Sequence, residues 1–254
     1  RDQPADARPP SGRVPGGDIG AAEVARVRLR RAPEGIAAEY ADAPRPSDQT
    51  PWREARWCAL DLEMTGLDPR SEDIISVGGV PIEDGRIVLG GGMYTLVNTT
   101  RRSQTGAVLV HKLRVPDLAD APPLEEAMDQ ILELLTGRIP VFHTAAVERS
   151  FLERRFARRR VRLPEVADTE ALGRAWLRHR DGAAPEGIPL GRLATVLGQP
   201  AETPHHALGD ALTTAKAFIA LAILLDTVAP QTVGSLVAAS RPAPSTALRR
   251  FGPG

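Results

Sequence analysis

Asp61 and Glu63 combine a residue type and a spacing that suit metal binding. They lie two positions apart within the apolar run 57–63. Alternate residues of a β-strand share one face of the sheet, so both carboxylates are expected to point the same way. Buried carboxylates repel one another unless a cation neutralises them, and their hard oxygen atoms favour Mg²⁺ or Mn²⁺. The pair therefore indicates a divalent-cation site, with a solvent-facing strand edge as the alternative.

His205 and Asp210 form a second candidate pair, at the start of a long apolar stretch. Asp210 lies near the N-terminus of a helix predicted from residue 207 to about residue 228. Its carboxylate could serve as another metal ligand, and the imidazole in the preceding loop could take a proton from an attacking water molecule. Taken singly, Asp210 is better explained as a helix cap and His205 as a surface histidine.

The segments that must position these residues predict an α/β domain. Apolar composition and turn residues predict strands at residues 57–63, 74–82, 87–97 and 139–143. Apolar residues at helical spacing predict helices at residues 122–135, 145–160, 169–178, 190–197 and 207–228. Strands followed by alternating strands and helices favour a mixed sheet flanked by helices.

The two ends of the chain have a different composition, rich in Pro, Gly, Ala and Arg. Such segments bury too little apolar surface to offset the entropy of ordering. The expectation is a disordered tail at residues 1–51, one domain at residues 52–228, and a short helix with a flexible tail at residues 229–254.

Charge and cysteine content bear on how the protein could bind nucleic acid and on the compartment in which it works. The formal net charge is zero, so a nucleic-acid surface would have to come from local clusters, such as the arginines between residues 154 and 162. Cys58 is the only cysteine, which excludes an internal disulfide and favours a reducing compartment. The sequence has neither a signal-peptide core nor a continuous apolar run of roughly 20 residues. A cytoplasmic protein without a membrane partner is the expectation.

Three segments resemble the motifs of DnaQ-like exonucleases, relatives of the proofreading subunit of bacterial DNA polymerase III. They are residues 61–68, 142–152 and 205–211, the last with the histidine of the DEDDh branch. The resemblance covers about residues 57–225, and it implies a ribonuclease H-like fold with two divalent cations, Mg²⁺ or Mn²⁺. The implied catalytic residues are His205 as general base and four acidic metal ligands, Asp61, Glu63, Glu148 and Asp210.

The same resemblance implies a function and a substrate site. It implies a 3′→5′ exonuclease that hydrolyses terminal phosphodiester bonds of single-stranded nucleic acid, with DNA the expected substrate and nucleoside monophosphates the products. The partners are then a single-stranded 3′ end and, as a candidate, a DNA polymerase. By analogy, Met64 and Thr65 hold the terminal nucleotide, Leu67 lies beside its base, and His143 contributes to substrate binding.

One position departs from the family pattern. Glu148 stands where the second motif normally has aspartate, which keeps the carboxylate but lengthens the side chain by one methylene. The longer ligand could be accommodated, or it could weaken the second metal site. A catalytically weakened module that binds nucleic acid or a polymerase therefore stays open as an alternative. The first motif, with its Met64, is also similar to that of oligoribonucleases, so an RNA or oligoribonucleotide exonuclease is a second alternative.

Overall fold

The sheet is mixed, as the order of strands and helices predicts. A computed structural model describes residues 32–200 and 202–241 of the 254-residue chain. In these residues the strands are β1 (Trp57–Met64), β2 (Ile74–Glu83), β3 (Arg86–Ile87), β4 (Met93–Leu96), β5 (Ile139–Phe142) and β6 (Ala167–Asp168). The sheet order is β3-β2-β1-β5-β6, and β4 also pairs with β2. β1 is antiparallel to β2 and parallel to β5, and β5 is parallel to β6.

Helices cover both faces of this sheet. They are α1 (Ile36–Asp42), α2 (Thr105–His111), α3 (Leu124–Leu135), α4 (Ala146–Arg158), α5 (Thr169–Asp181), α6 (Leu190–Val196), α7 (Ala207–Asp226) and α8 (Val233–Ala239). Short 3₁₀ turns lie at Leu89–Gly91 and Val115–Leu118. The prediction of a mixed sheet flanked by helices is confirmed.

The side chains of β1 alternate between two hydrophobic cores. Trp57 and Ala59 belong to the core formed with α7, where the Trp57 ring lies 4.7 Å from that of Phe218. Cys58 and Leu60 point the other way, into the core formed with α3 and α4. Because alternate strand residues share a face, Asp61 and Glu63 continue the row that faces α7.

α7 is the central helix of the first core. By length and composition alone it could cross a membrane. It instead packs on β1 and β2, and Ala211, Ala215, Phe218 and Leu221 are fully buried there. A long apolar helix of this kind is typical of the interior of a folded domain.

The N-terminal boundary differs from the prediction. Within the stretch expected to be disordered, α1 packs on α3, and the hydroxyl of the buried Tyr40 donates a hydrogen bond to the Arg162 carbonyl at 2.9 Å. Trp52 is also buried. The packed part of the chain therefore begins before the predicted domain boundary at residue 52, because Tyr40 in this segment and Trp52 at the boundary anchor a stretch whose composition is otherwise polar. Residues 1–31 and 242–254, the outer parts of both predicted tails, lie outside the described residues.

Two further elements differ from the sequence-based expectation. The strand predicted at residues 87–97 is interrupted by the 3₁₀ turn at Leu89–Gly91, since consecutive glycines weaken a strand. α2 was not predicted, because its exposed residues, Leu109 among them, give no apolar stripe. At the other end of the chain, α8 packs on α5 and β6 through buried Val233 and Leu236.

Candidate active site

The end of β1 presents two carboxylates where the sheet opens. Asp61 lies opposite Gly78 of β2, and Glu63 lies opposite Ser76. β5 pairs with β1 only from Trp57 to Ala59, so it has left β1 before Asp61 is reached. The two acidic residues therefore lie on the part of β1 that extends past its pairing with β5.

Gly78 determines how closely α7 approaches these carboxylates. A Cβ atom at Gly78 would lie 2.2 Å from the main-chain carbon and oxygen of Ala207, the first residue of α7. Only a residue without a side chain permits this contact. Asp210 follows within the first turn of the helix, and carboxylate oxygens of Asp61, Glu63 and Asp210 lie within 4.8 Å of one another. The structure thus brings together three of the four predicted metal ligands.

Burial and mutual repulsion make this cluster unfavourable when it is fully ionised. Burial raises the pKa of Asp61 well above its usual value, and the charges of Glu63, Glu148 and Asp210 raise it further. Burial, and then Asp210, raise the pKa of Glu63 to about 7. Burial also raises the pKa of Asp210, although the His205 N–H opposes the shift. Such a group of carboxylates is stabilised by a bound cation.

Glu148 lies beside the cluster, in the first turn of α4. It is only 9% exposed, and its Oε2 atom has no hydrogen-bond partner. Burial raises its pKa to about 8, and repulsion by Asp168 and Glu63 contributes. Glu148 is not among the three residues whose oxygens lie within 4.8 Å of each other, but its charge raises the pKa of Asp61, and the charge of Glu63 raises the pKa of Glu148.

Asp168 fixes the turn from which α4 begins. Its carboxylate accepts hydrogen bonds from the N–H groups of Thr144 at 3.1 Å and Ala145 at 2.9 Å. It also caps α5 by accepting from the N–H groups of Glu170 and Ala171. Thr144 adopts a left-handed backbone conformation with φ of 61°, which is uncommon for a β-branched residue. The strained turn and its carboxylate anchor together position Glu148.

The His205 turn, defined as residues 203–206, leads directly into α7. The His205 N–H donates a hydrogen bond to Oδ2 of Asp210 at 2.7 Å, and the Asp210 N–H donates to the His206 carbonyl at 2.9 Å. His205 has a φ of 60°, and its side chain is exposed. The residue predicted as general base is therefore tied through its main chain to a member of the carboxylate cluster.

His143, another predicted substrate-binding residue, is half-buried. Its Nδ1 atom is 2.9 Å from the Thr169 hydroxyl. Burial lowers its pKa, while the charges of Asp168, Glu170 and Asp210 act in the opposite direction. The imidazole thus lies within the electrostatic field of the cluster.

The first-motif loop, residues 65–73, holds the other predicted substrate contacts. Thr65 is fully buried: its hydroxyl donates to Glu72, and its carbonyl accepts from the Gln104 N–H. These bonds show Thr65 fixing the loop, whereas the sequence predicts a nucleotide contact. Leu67 is 72% exposed at the tip and Met64 is half-buried, so both are available to a ligand.

Gly78 and Asp168 belong to the site although the sequence did not place them in it. A glycine inside an apolar strand signals close backbone approach, which was the available clue for Gly78. An aspartate between a strand and a helix signals an N-cap, which was the clue for Asp168. What neither pattern shows is which distant segment the residue holds in place.

The donor set fits hard divalent cations. It consists of clustered carboxylate oxygens, and the buried Oε2 atom of Glu148 lacks any partner in the described protein. Mg²⁺ and Mn²⁺ prefer such oxygen ligands, and no sulfur atom lies in the group. Neutralisation by cations would remove the repulsion that raises the pKa values of these side chains.

Comparison with known proteins supports the resemblance seen in the motifs. The family model described as "Exonuclease", RNase T, matches residues 58–218. The DNA polymerase III subunit epsilon-like protein of Rhodobacter capsulatus is 32% identical over 176 residues, which are 68% of this chain and 24% of that protein. The chain thus spans about a quarter of the length of that relative.

Solved structures show the same fold. Exonuclease X in complex with 5′ overhanging duplex DNA aligns with a TM-score of 0.55 and 22% identity, over 73% of this chain and 99% of that one. Escherichia coli Exonuclease I in complex with a dA16 oligonucleotide aligns with a TM-score of 0.54 and 16% identity, over 68% of this chain and 41% of that one. The predicted ribonuclease H-like fold is confirmed, and the chain belongs to the RNase T family of metal-dependent, DnaQ-like exonucleases.

Proposed function

We propose that this protein is a 3′→5′ exonuclease that removes nucleoside monophosphates from the 3′ end of single-stranded DNA. The observation that carries the proposal is the convergence of Asp61, Glu63 and Asp210 from two distant segments, with His205 bonded to Asp210. The Exonuclease I structure contains a single-stranded oligonucleotide, which supports a similar substrate here.

Four carboxylates would hold two divalent cations, Mg²⁺ or Mn²⁺. Asp61, Glu63 and Asp210, whose carboxylate oxygens lie within 4.8 Å of one another, would be the principal ligands. The unpartnered oxygen of Glu148 would support the second ion directly or through water. When bound, the cations would lower the pKa of the attacking water and stabilise the departing 3′ oxygen.

His205 would act as the general base. Its imidazole is exposed on the turn beside Asp210, so a water molecule and the terminal phosphodiester can both reach it. It would take the proton from the water as the oxygen attacks phosphorus. Met64 and Leu67, at the end of β1 and the tip of the first-motif loop, would contact the terminal nucleotide, and His143 would support the substrate side of the site.

The test is digestion of a single-stranded DNA oligonucleotide that carries a 5′ label. A 3′→5′ exonuclease gives a ladder of progressively shorter labelled products, whereas the opposite polarity releases the label at once as a mononucleotide. EDTA should stop the reaction, and Mg²⁺ or Mn²⁺ should restore it. Asp61→Ala and Asp210→Ala should reduce the rate by at least about 1000-fold, since both remove metal ligands. Undiminished cleavage by Asp61→Ala would refute the site.

Glu148 decides between an active enzyme and a catalytically weakened module that only binds nucleic acid or a polymerase. If Glu148 is a working ligand, Glu148→Asp should preserve or raise the rate, and Glu148→Ala should lower it by at least about 10-fold. Insensitivity to Glu148→Ala would remove this residue from the mechanism. Failure of the unmodified protein to digest any substrate with Mn²⁺ present would favour the binding module.

The nucleic acid and the partner are tested separately. Rates on single-stranded DNA, long RNA and RNA dinucleotides should favour DNA, and a preference for dinucleotides would support the oligoribonuclease alternative. The name of the Rhodobacter relative motivates the proposal that this protein acts with a DNA polymerase in replication proofreading. Faster digestion of a 3′-mismatched than of a matched primer terminus would support that role, and equal rates would oppose it.

A further inference from the structure

The turn that carries the proposed base is held mainly through its main chain: a Cβ atom at Gly209 of α7 would lie 2.7 Å from the Thr203 carbonyl oxygen. The side chains of Thr203, His205 and His206 are exposed, and the main chain at His205 is in the left-handed region. The hydrogen bond from the His205 N–H to Asp210 fixes one peptide group, but a single bond does not fix the orientation of the turn relative to the sheet. A contact made by a side chain of the turn would fix more closely where the imidazole of His205 lies.

The aromatic stack between Tyr94 and His206 supplies that contact. The ring of Tyr94, in β4, is stacked on the ring of His206, with centroids 4.5 Å apart and planes inclined by 20°. Tyr94 pairs with Gly78 in the sheet, so both residues face the first turn of α7. The stack thus links the strand that pairs with β2 to the residue immediately after His205.

We propose that Tyr94 is a positioning residue for the reaction: by stacking on His206 it holds the His205 turn in its productive place. This inference rests on the proposed function, because it needs His205 to be the general base. Without the ring, the turn pivots about its bond to Asp210, and the imidazole spends less time beside the attacking water. The chemical step slows, while the first-motif loop and substrate binding stay unchanged.

The first experiment separates positioning from substrate contact. Tyr94→Leu should lower kcat on a single-stranded DNA oligonucleotide by about 10-fold and should leave KM within about twofold. The loss in kcat is smaller than the roughly 100-fold or greater rate enhancement that a general base contributes, because the base is displaced but still present. Tyr94→Phe keeps the ring and should stay within about twofold of the unmodified enzyme. A raised KM with unchanged kcat would show that Tyr94 contacts the nucleic acid instead, and would overturn the proposal.

The second ring provides a matched pair of variants. His206→Leu should reproduce the loss of kcat, and His206→Phe should largely retain activity, because an aromatic ring can stack where leucine cannot. Both rings are partly or fully exposed, so thermal unfolding of all four variants should stay close to that of the unmodified protein. Equal activity of the leucine and phenylalanine variants at either position would contradict a role for stacking.

A double-mutant cycle shows whether the effect passes through His205. In a His205→Ala background, Tyr94→Leu should lower kcat by no more than about twofold, because the group it positions is already absent. The same 10-fold loss in both backgrounds would overturn the proposal and leave the general base intact. Full activity of His205→Ala alone would instead refute the base assignment, so the two failures are distinguishable.

Discussion

The first-motif loop and the His205 turn flank the same carboxylate cluster but are built in opposite ways. In the first-motif loop, Thr65 is fully buried and every hydrogen-bonding group it has is used, including its N–H, which donates to the Asp73 carbonyl at 2.9 Å. The loop is further held by Gln104 and by the buried Arg155, whose guanidinium donates to the Glu72 carbonyl at 3.3 Å. The residues of the His205 turn are exposed, and the turn is held by its bond to Asp210, by the packing of the Thr203 main chain on Gly209 and by one aromatic stack.

The difference indicates that the loop serves substrate recognition and the turn serves the chemical step. A loop fixed by a partly buried polar network around Thr65 presents Leu67 in one arrangement, which suits recognition of a terminal nucleotide. The His205 turn is bonded to a proposed metal ligand, so placement of the base and assembly of the metal site depend on the same carboxylate of Asp210. Perturbing the turn should therefore change kcat, and perturbing the loop should change KM.

Among variants outside the proposed metal ligands, the largest effect should come from Gly78→Ala, which moves the His205 turn and Asp210 together. The new methyl group would lie 2.2 Å from the main chain of Ala207, which cannot move without displacing the start of α7. We expect kcat to fall by at least about 100-fold, since displacement of reacting groups by about 1 Å has effects of that size. The free energy of unfolding should fall by about 1–3 kcal/mol through overpacking.

Gly79→Ala is the matched control for this prediction. A Cβ atom there would meet the Cδ2 atom of Leu134, the movable end of a side chain, in the core on the other face of the sheet. It should cost stability while keeping most of the activity. Equal kcat losses in the two variants would contradict the claim that Gly78 acts by letting the start of α7 pack close to β2. Steady-state kinetics and thermal unfolding measure both quantities.

A smaller effect, on KM rather than kcat, should follow from Arg155→Met. Arg155 is 7% exposed and bonds to the carbonyls of Phe151 and Glu72, so it joins α4 to the first-motif loop. Methionine fills much of the space but leaves the Glu72 carbonyl unpaired, which should cost about 1–3 kcal/mol of stability. KM should rise several-fold as the loop loosens, with kcat nearly unchanged.

Arg158→Ala tests whether this effect belongs to Arg155 or to arginine in general. Arg158 lies in the same helix with its side chain exposed. Its removal should leave stability within about 0.5 kcal/mol, as for most surface substitutions. If Arg155→Met lowers kcat and leaves KM alone, the proposed division between loop and turn is wrong. A large rise of KM in Arg158→Ala would instead show that exposed arginines of α4 contact the substrate.

Much of the fold follows from local patterns. The alternation along β1 predicts both the buried row and the shared face of Asp61 and Glu63, and the structure confirms it. The N-terminal segment shows the limit of such patterns. Tyr40 and Trp52 are two isolated aromatics in a polar stretch, and only the three-dimensional structure shows that each reaches the core.

The acidic cluster was predictable as a set of residues, but its supports were not. Motif spacing brings Asp61, Glu63, Asp210 and His205 into one hypothesis, and the structure places these residues together. The Tyr94–His206 stack joins residues 112 positions apart and follows no periodic pattern. The internal bonding of Thr65 was likewise hidden, since sequence shows a threonine in a motif but not the partners of its hydroxyl.

The smallest effect should appear in Asp68→Asn, which tests the order of the first-motif loop through pH. The Arg70 N–H, and then the Ser71 hydroxyl, hold the pKa of Asp68 below its usual value of 3.8. Because the pKa is lowered in the folded state, the ionised carboxylate stabilises the loop above that usual value, and the contribution disappears as pH falls through the folded pKa. The unmodified protein should therefore unfold at a slightly higher temperature than Asp68→Asn at pH 7, and the difference should shrink as the pH falls below 3.8 and through the lower folded-state pKa. Since Asp68 is on the surface, the shift should be smaller than for Arg155→Met. A difference that persists unchanged at low pH would mean that the side chain stabilises the loop by its shape and not by its charge.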